Sequence, residues 1–237
     1  MTAETEFKDT PLPASADVVV IGGGIVGVTT ALFLARDGLK VLLLEKGRIA
    51  GEQSSRNWGW IRKQGRDPIE LPLMIESARL WEELAGDIGD EIGFGRHSTT
   101  YVAMNDDELA ERAPWLESAR DYQLDTRLLT AAETDELLGR DDRRFVGALH
   151  PPSDMTAEPS LAVPAFARQA AAEGVTVIEG CAARGVETTG GRLSGVVTER
   201  GTIACSAAIL GGGAWSRTFL ENLGVFIPQL AVRSQAC

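Results

Sequence analysis

The stretch VVVIGGGIVGVTTALFLARDGLKVLLLEK, residues 18–46, decides the fold of this chain. With Asp17 in front, its first residues to Ile21 form a β-branched apolar run, typical of a parallel strand buried on both faces. Gly22, Gly24 and Gly27 follow as G-x-G-x-x-G, a spacing that permits a tight turn, close backbone approach to a diphosphate and close helix-to-strand packing. The pattern predicts a strand that leads into a nucleotide-phosphate site.

A helix should follow, beginning near Ile25 and directing its free N–H groups and positive dipole end at the phosphates. Its small residues Gly27, Ala31 and Ala35 recur every four positions, which gives a flat face that can lie against the sheet. Gly38 is placed where a C-cap glycine would end the helix.

A second strand is predicted from Lys40 to Leu44, with Glu45 at its C-terminal end. The separation of Glu45 from Gly22 is close to the roughly 20 residues that place a carboxylate on an adenosine ribose. Strand, glycines, helix, second strand and acid in this order favour a dinucleotide-binding α/β fold over a glycine turn that binds nothing.

Composition and charge limit the partners. The net charge of −11 argues against nucleic acid, whose binders concentrate Lys and Arg on one face, so small molecules are expected. Cys181, Cys205 and Cys237 form neither a metal-ligand spacing nor a disulfide framework, which favours a cytoplasmic location. The first sixteen residues lack a secretory pattern. The apolar stretch 18–35 is interrupted by glycines and is interpreted as strand, turn and helix, without a transmembrane segment.

The loop GEQSSRNWGW, residues 51–60, helps to choose the dinucleotide. Ser54, Ser55 and Asn57 offer hydrogen bonds to phosphate or ribityl oxygens, and Gly59 lets the backbone approach a flat ring. The loop favours FAD over NAD, although an ordinary surface loop stays an alternative for this composition.

The stretch SSRNWGWIRKQGRDPIELPLM, residues 54–74, resembles bacterial members of the D-amino acid oxidase family, which includes glycine oxidase, sarcosine oxidase and D-amino acid dehydrogenases. The resemblance implies non-covalent FAD and oxidation of the C–N bond of an amino acid or related amine. A neutral amine would give hydride from its α-carbon to flavin, and water would hydrolyse the imine. No catalytic acid or base is assigned, because the cofactor carries the chemistry.

The resemblance also implies a set of cofactor contacts along the chain. Glu45 would hold the ribose, the loop from Ser54 would run along the diphosphate and beside the flavin ring, and Ala183 would contact the adenine. The full predicted set is Gly22, Gly24, Gly27, Glu45, Lys46, Ser54, Ser55, Arg56, Asn57, Gly59, Trp60, Ala183, Gly212 and Trp215.

A second glycine turn supports the same conclusion. A buried strand is predicted over 207–210 and leads directly into Gly211, Gly212 and Gly213, ahead of Trp215. Consecutive glycines allow close backbone approach to a ligand. A plain strand-to-helix connection remains the alternative.

The predicted architecture is a Rossmann-like FAD-binding domain, with a parallel central sheet and a β-meander, interrupted by part of a smaller α+β substrate domain. We assign 17–92 and 151–224 to the first domain, 93–150 and 225–237 to the second, and 1–16 to a polar tail. Further predicted elements are a helix over 70–84 with Leu73 and Trp81 in the core, a strand-like stretch over 93–104, a Thr130–Glu133 capping box, a strand over 145–149, a helix over 159–173, a strand over 175–178 and a meander over 187–201.

The substrate side is sparsely marked. Arg62 is a weak candidate for pairing with an acidic substrate. His97 and His150 lack a metal-ligand pattern, so no metal is expected. Leu230 and Val232 alternate as in a strand, so the chain is expected to be truncated. Two alternative functions stay open: an accessory chain without turnover and an NAD-dependent dehydrogenase. The chain could also form an oligomer or bind a partner subunit.

Overall fold

The computed structural model describes residues 6–232 of the chain. Twelve strands are formed within this range: β1 Val18–Ile21, β2 Val41–Leu44, β3 Trp60–Ile61, β4 Tyr101–Ala103, β5 Arg127–Thr130, β6 Gly147–His150, β7 Met155–Thr156, β8 Thr176–Ile178, β9 Ala183–Thr189, β10 Arg192–Thr198, β11 Gly201–Ala204 and β12 Ala207–Leu210. Seven α-helices accompany them: α1 Ile25–Arg36, α2 Leu71–Ala85, α3 Asp106–Arg112, α4 Trp115–Asp121, α5 Ala131–Leu138, α6 Pro159–Ala172 and α7 Ser216–Glu221.

The chain divides into two compact units. The first unit runs up to Asn57 and resumes at Pro159, and the second unit is Trp58–Glu158. These bounds differ from the predicted domain limits at 92 and 150, because residues 58–92, which include β3 and α2, make their contacts within the second unit. Residues 225–232, the described part of the segment 225–237 predicted to join the substrate domain, fall in the first unit. The assignment of the units to cofactor and substrate domains stays a prediction.

A four-stranded parallel sheet forms the core of the first unit, in the order β12-β1-β2-β8. β1 pairs with β2 in the register Val18↔Val41 and with β12 in the register Val18↔Ala207. Every residue of β1 and β2 is buried, as expected for central parallel strands. The predicted α/β arrangement with a parallel central sheet is confirmed.

Helix α1 begins at Ile25, as predicted, and ends at Arg36. Gly38 follows with a left-handed φ of +84°, which suits a glycine beyond a helix end. An added Cβ at Gly27 would lie 1.8 Å from the carbonyl oxygen of Gly22, so only glycine lets the helix approach the turn this closely. No helix within residues 6–232 is long and apolar enough to cross a membrane.

The predicted meander is the antiparallel sheet β11-β10-β9. Its first hairpin turns at Gly190 and Gly191, both with left-handed φ. Residues 14–16, the end of the predicted polar tail 1–16, lie beside β11: Ala16 N–H donates to Ala204 O at 3.0 Å, and Ala204 N–H donates to Ala14 O at 3.1 Å. Residues 1–5 of the predicted tail lie outside the described residues.

The second unit contains an antiparallel sheet in the order β4-β6-β5, the short pair β3–β7, and helices α2 to α5. The Thr130 capping box at the start of α5 is confirmed. Glu133 N–H donates to Thr130 Oγ1 at 3.3 Å, and Thr130 N–H donates to Glu133 Oε2 at 2.8 Å.

Three predictions for single elements are wrong. Leu73 is 68% exposed and not in the core, because α2 buries the opposite face through Leu71 and Leu84. The strand-like stretch 93–104 pairs as a named strand only over β4. Residues 230–232 form no strand; the preceding Gln229 donates a side-chain amide N–H to Gly213 O at 3.0 Å, which places it beside the second glycine turn.

We predict that Gly27→Ala lowers the free energy of unfolding by about 1–3 kcal/mol, the usual cost of overpacking. The new methyl group would overlap the Gly22 carbonyl and force α1 away from β1. Urea unfolding followed by far-ultraviolet circular dichroism measures the change. Gly185→Ala is the matched control, because a Cβ there meets nothing within 4 Å. Equal stability of the two variants would contradict the close packing.

Candidate cofactor site

A cavity of about 560 Å³ opens in the first unit at the carboxyl ends of β1, β2 and β12. β1 lies between β2 on one side and β12 on the other, so the chain order reverses direction at this point of the sheet. Ligands of open parallel sheets bind at such points. The cavity volume is within the roughly 300–1,000 Å³ of ordinary ligand pockets.

Two glycine turns form adjacent walls of the cavity. Gly22, with a φ of +115°, follows β1, and an added Cβ there would lie 2.4 Å from Gly211 O in the turn after β12. Gly24 is the N-cap of α1 and makes no side-chain cap. The first-turn N–H groups of a helix have no intrahelical acceptor, so this helix end can serve an anion.

Glu45 braces the first glycine turn. Its Oε2 accepts the Gly23 N–H at 2.7 Å, and its Oε1 accepts the Gly47 N–H at 2.7 Å. Hydrogen bonds to a carboxylate are stronger than neutral ones. The side chain predicted to hold a ribose therefore also fixes the backbone on which the phosphates would rest.

Ser54 joins the following loop to the helix start, since its Oγ accepts the Ile25 N–H at 2.9 Å. The neighbouring predicted residues, Ser55 and Asn57, form hydrogen bonds within the loop. Ser55 Oγ donates to Glu52 O at 3.2 Å, and the Asn57 amide donates to Ser54 O at 3.3 Å. Of the predicted polar loop residues, only Ser54 lines the cavity.

Lys46 and Trp215 meet at the cavity from opposite sides. The Lys46 Nζ atom lies 3.7 Å from the centroid of the Trp215 ring, which is a cation–π contact. Lys46 follows β2, and Trp215 follows the second glycine turn. The pair brings one positive charge and one exposed aromatic face to the cavity wall.

The structure thus brings together most, but not all, of the predicted cofactor residues. Those that line the cavity are Gly22, Gly24, Glu45, Lys46, Ser54, Ala183, Gly212 and Trp215. Gly27, Ser55, Arg56 and Asn57 belong to the same unit without lining the cavity. Gly59, Trp60 and Arg62 belong to the second unit.

Sequence reasoning missed several polar lining residues: Gln53, Arg184, Asn222 and Gln229. Their residue types are common on any surface, and no spacing pattern joins them to the glycine fingerprint. Gln53 alone had a local signal, because it precedes Ser54 in the loop already selected.

The second unit arranges the rest of the predicted loop. Gly59 has a left-handed φ of +71°, and Trp58 and Trp60 pack with their ring centroids 4.7 Å apart. Arg62 hydrogen-bonds the Tyr101 hydroxyl and donates to Gln64 O at 2.8 Å. The guanidinium is therefore held by its neighbours, and its role toward a substrate stays a prediction.

Polar groups are also buried in the second unit. Lys63 Nζ lies 3.1 Å from Asp154 Oδ1, whose side chain is fully buried. His150 Nδ1 lies 2.8 Å from Thr100 Oγ1 and 3.1 Å from Ser98 Oγ. Among residues 6–232, no group of three His, Cys, Asp or Glu side chains is arranged to hold a metal ion.

Comparison with known proteins relates this geometry to a family. The family model for FAD dependent oxidoreductases matches residues 17–237. The chain belongs to this family. The predicted FAD cofactor and Rossmann-like fold are confirmed, and the NAD-dependent alternative is not favoured.

Several relatives of this chain are named for enzymes of amines and amino acids. Human mitochondrial sarcosine dehydrogenase is 29% identical over 94% of this chain and 25% of its own length. Sarcosine oxidase subunit beta of an Arthrobacter species is 31% identical over 90% of this chain and 55% of its own. A solved L-amino acid deaminase of Proteus myxofaciens is 35% identical with a TM-score of 0.88, over 94% of this chain and 51% of its own. The chain spans about a quarter to a half of these relatives.

The residues present fit the cofactor. The turn at Gly22 has no room for a Cβ, so it presents bare backbone to the cavity, and Gly27 lets α1 lie directly against this turn. The start of α1, Lys46 and Glu45 supply an anion site, a cation and a carboxylate within the same walls. These are the groups that a diphosphate and a ribose require.

We predict that Glu45→Gln raises the dissociation constant of FAD about tenfold. The amide keeps the shape but can accept only one of the two backbone N–H groups with full strength, and hydrogen bonds to charged groups contribute about 1.5–3 kcal/mol. Titration of FAD into apoprotein measures the constant.

Glu52→Gln is the matched control for this prediction. Glu52 also lines the cavity, but it is 40% exposed and only pairs with Lys46 and Arg56 on the surface. Exposed ion pairs contribute little, about 0–1 kcal/mol, so binding should change less than threefold. Equal effects of the two variants would rule out a special role for Glu45.

We predict a pH-dependent stability that depends on His150. Burial lowers the pKa of His150, Arg127 lowers it further, and Asp125 opposes both. Because the folded chain lowers the pKa of His150, the unfolded chain binds a proton more readily. The folded state therefore has its full stability above the ordinary histidine pKa of about 6.5, and the free energy of unfolding decreases as the pH falls below it.

Urea unfolding measured between pH 8 and pH 5 gives the free energy of unfolding as a function of pH. We expect it to decrease only below about pH 6.5. His150→Asn should flatten the dependence, whereas His97→Gln, which changes an exposed ring, should leave it in place. An unchanged slope in His150→Asn would contradict the assignment.

Proposed function

We propose that this chain forms the cofactor-binding part of an enzyme that oxidises the C–N bond of an amino acid or related amine. The observation that carries the proposal is the pair of glycine turns facing one cavity at the ends of β1 and β12, in a chain of an FAD dependent family. The names of the relatives support the substrate class.

FAD held by these residues would supply the acceptor for a hydride from the α-carbon of the amine, and water would hydrolyse the resulting imine. The chain's own residues bind and orient the cofactor. The N–H groups from Gly24 into the first turn of α1 would hold the diphosphate, which the Gly22 turn lets approach closely, and Glu45 would accept hydrogen bonds from the ribose. Lys46 would add positive charge against the phosphates.

The second glycine turn has a separate proposed role. Gly212 and Trp215 would approach the cofactor from the wall next to Gly22, and Ala183 would lie along the adenine. Gly59, Trp60 and Arg62 are proposed to serve the flavin and the substrate, on the strength of the family resemblance alone. No residue of the chain is proposed as a catalytic acid or base, because hydride transfer to flavin does not require one from a neutral amine.

We further propose a partner subunit and a cytoplasmic location. The name of the Arthrobacter relative denotes one subunit of an oxidase, which supports a partner. Cys181 and Cys205 are free thiols, which suits a reducing compartment. Small amines and amino acids, and not nucleic acid, are the proposed small-molecule partners because of the net charge of −11.

The test uses the FAD-loaded chain under anaerobic conditions. Sarcosine, proline, glycine and a panel of L- and D-amino acids are added in turn, and flavin absorbance near roughly 450 nm is followed. We expect bleaching by at least one amine, with the matching keto acid or aldehyde as product. If every compound leaves the flavin oxidised while dithionite bleaches it, the proposal fails and an accessory role without turnover replaces it.

A further inference from the structure

A buried carboxylate outside the cavity connects two distant parts of the first unit. Glu179, at the end of β8, is 3% exposed. Its Oε1 accepts the Ile49 N–H at 2.6 Å, and its Oε2 accepts the Phe7 N–H at 3.1 Å. Glu179 therefore binds the loop of residues 47–51, here called the buttress loop, and the N-terminal residues 6–16, here called the N-terminal strap.

The buttress loop supports the first glycine turn. An added Cβ at Gly23 would lie 2.6 Å from Ile49 Cδ1, so the isoleucine side chain packs directly against the turn. Ala50 N–H donates to Gly23 O at 2.9 Å. Gly180 N–H donates to Gly47 O at 2.8 Å and ties the other end of the loop to the residues after β8.

The conformation of Ala50 shows that the loop needs external support. Its φ is +56°, in the left-handed region that non-glycine residues seldom adopt. Such a conformation persists only where the surroundings over-determine it. The Glu179 hydrogen bond to the preceding residue, Ile49, is one of the contacts that hold it.

The N-terminal strap is held along its length. Glu179 N–H donates to Phe7 O at 3.3 Å. The Arg200 guanidinium donates to Lys8 O at 3.1 Å, to Thr10 O at 3.4 Å and to Glu179 O at 3.1 Å. Leu12 packs against the buried core of the sheet and meander. The strap is thus part of the first unit and presents a fixed N–H to Glu179.

We propose that Glu179 is a positioning residue for the cofactor site, which uses the N-terminal strap to fix the buttress loop and, through Ile49 and Ala50, the Gly22–Gly24 turn. The carboxylate touches neither the cavity nor the cofactor, because it is absent from the cavity lining. The inference depends on FAD binding by the family and not on the proposed amine oxidation.

The decisive variant in the full chain is Glu179→Gln. The amide has one oxygen for two backbone N–H donors, so its NH₂ group must face either Phe7 or Ile49 N–H. Phe7→Pro removes the strap donor, because proline has no N–H, and Phe7→Ala, which removes the ring but keeps the N–H, is its own control. Glu173→Gln is the matched control, since Glu173 forms a surface pair with Arg36 at 2.8 Å and does not line the cavity.

Two readouts separate positioning from general stability. The first is the FAD dissociation constant, expected to rise about tenfold in Glu179→Gln, about threefold in Phe7→Pro and less than about twofold in the control. The second is hydrogen exchange of the apoprotein, expected to quicken in residues 22–24 and 47–51 of Glu179→Gln while β10 stays protected.

An unchanged FAD constant in Glu179→Gln, or exchange that quickens equally in β10, would overturn the proposal. If Glu179→Gln does not fold, Phe7→Pro decides: a normal constant with normal exchange in the buttress loop overturns it. Both readouts are made without substrate. They therefore test the role of Glu179 even if the chain is found not to oxidise amines.

Discussion

Three backbone segments meet without side chains between them where β1, α1 and β12 come together. A methyl group at Gly27 would overlap the Gly22 carbonyl at 1.8 Å, and one at Gly22 would overlap the Gly211 carbonyl at 2.4 Å. This contact sets how closely α1 approaches the sheet and how closely the two glycine turns approach each other. The cavity, its volume and the direction of the helix start all depend on it.

Carboxylates hold this bare backbone in place from behind. Glu45 binds Gly23 N–H from the end of β2, and Glu179 binds the loop that packs against Gly23. Each carboxylate satisfies two backbone N–H groups, Glu45 from the cavity wall and Glu179 from outside the cavity. A rigid cradle binds a flexible dinucleotide better because less ordering remains to be done on binding.

The sequence predicted the parts of the site whose signals are local. The order strand, glycines, helix and strand located β1, α1 and β2 to within a residue or two, and the Thr130 capping box was found because its partners are three residues apart. The second glycine turn at Gly211 was found for the same reason. Each of these signals is a short stretch of sequence that is typical of one local structure.

Long-range features escaped prediction. Glu179 meets Ile49 across 130 positions and Phe7 across 172, and nothing in the neighbouring residues marks either pairing. The strap was taken for a tail because its composition is polar, although backbone hydrogen bonds to Ala204 hold it. Leu230 and Val232 alternate like strand residues, yet Gln229 holds their segment beside the second glycine turn.

The most direct test of the account is a crystal structure of the chain with FAD. The account predicts the diphosphate within hydrogen-bond distance, about 2.7–3.2 Å, of the backbone N–H groups from Gly24 into the first turn of α1, with the ribose on Glu45 and the second glycine turn on the adjacent wall. FAD density away from these two turns, or a diphosphate held only by side chains, would contradict it.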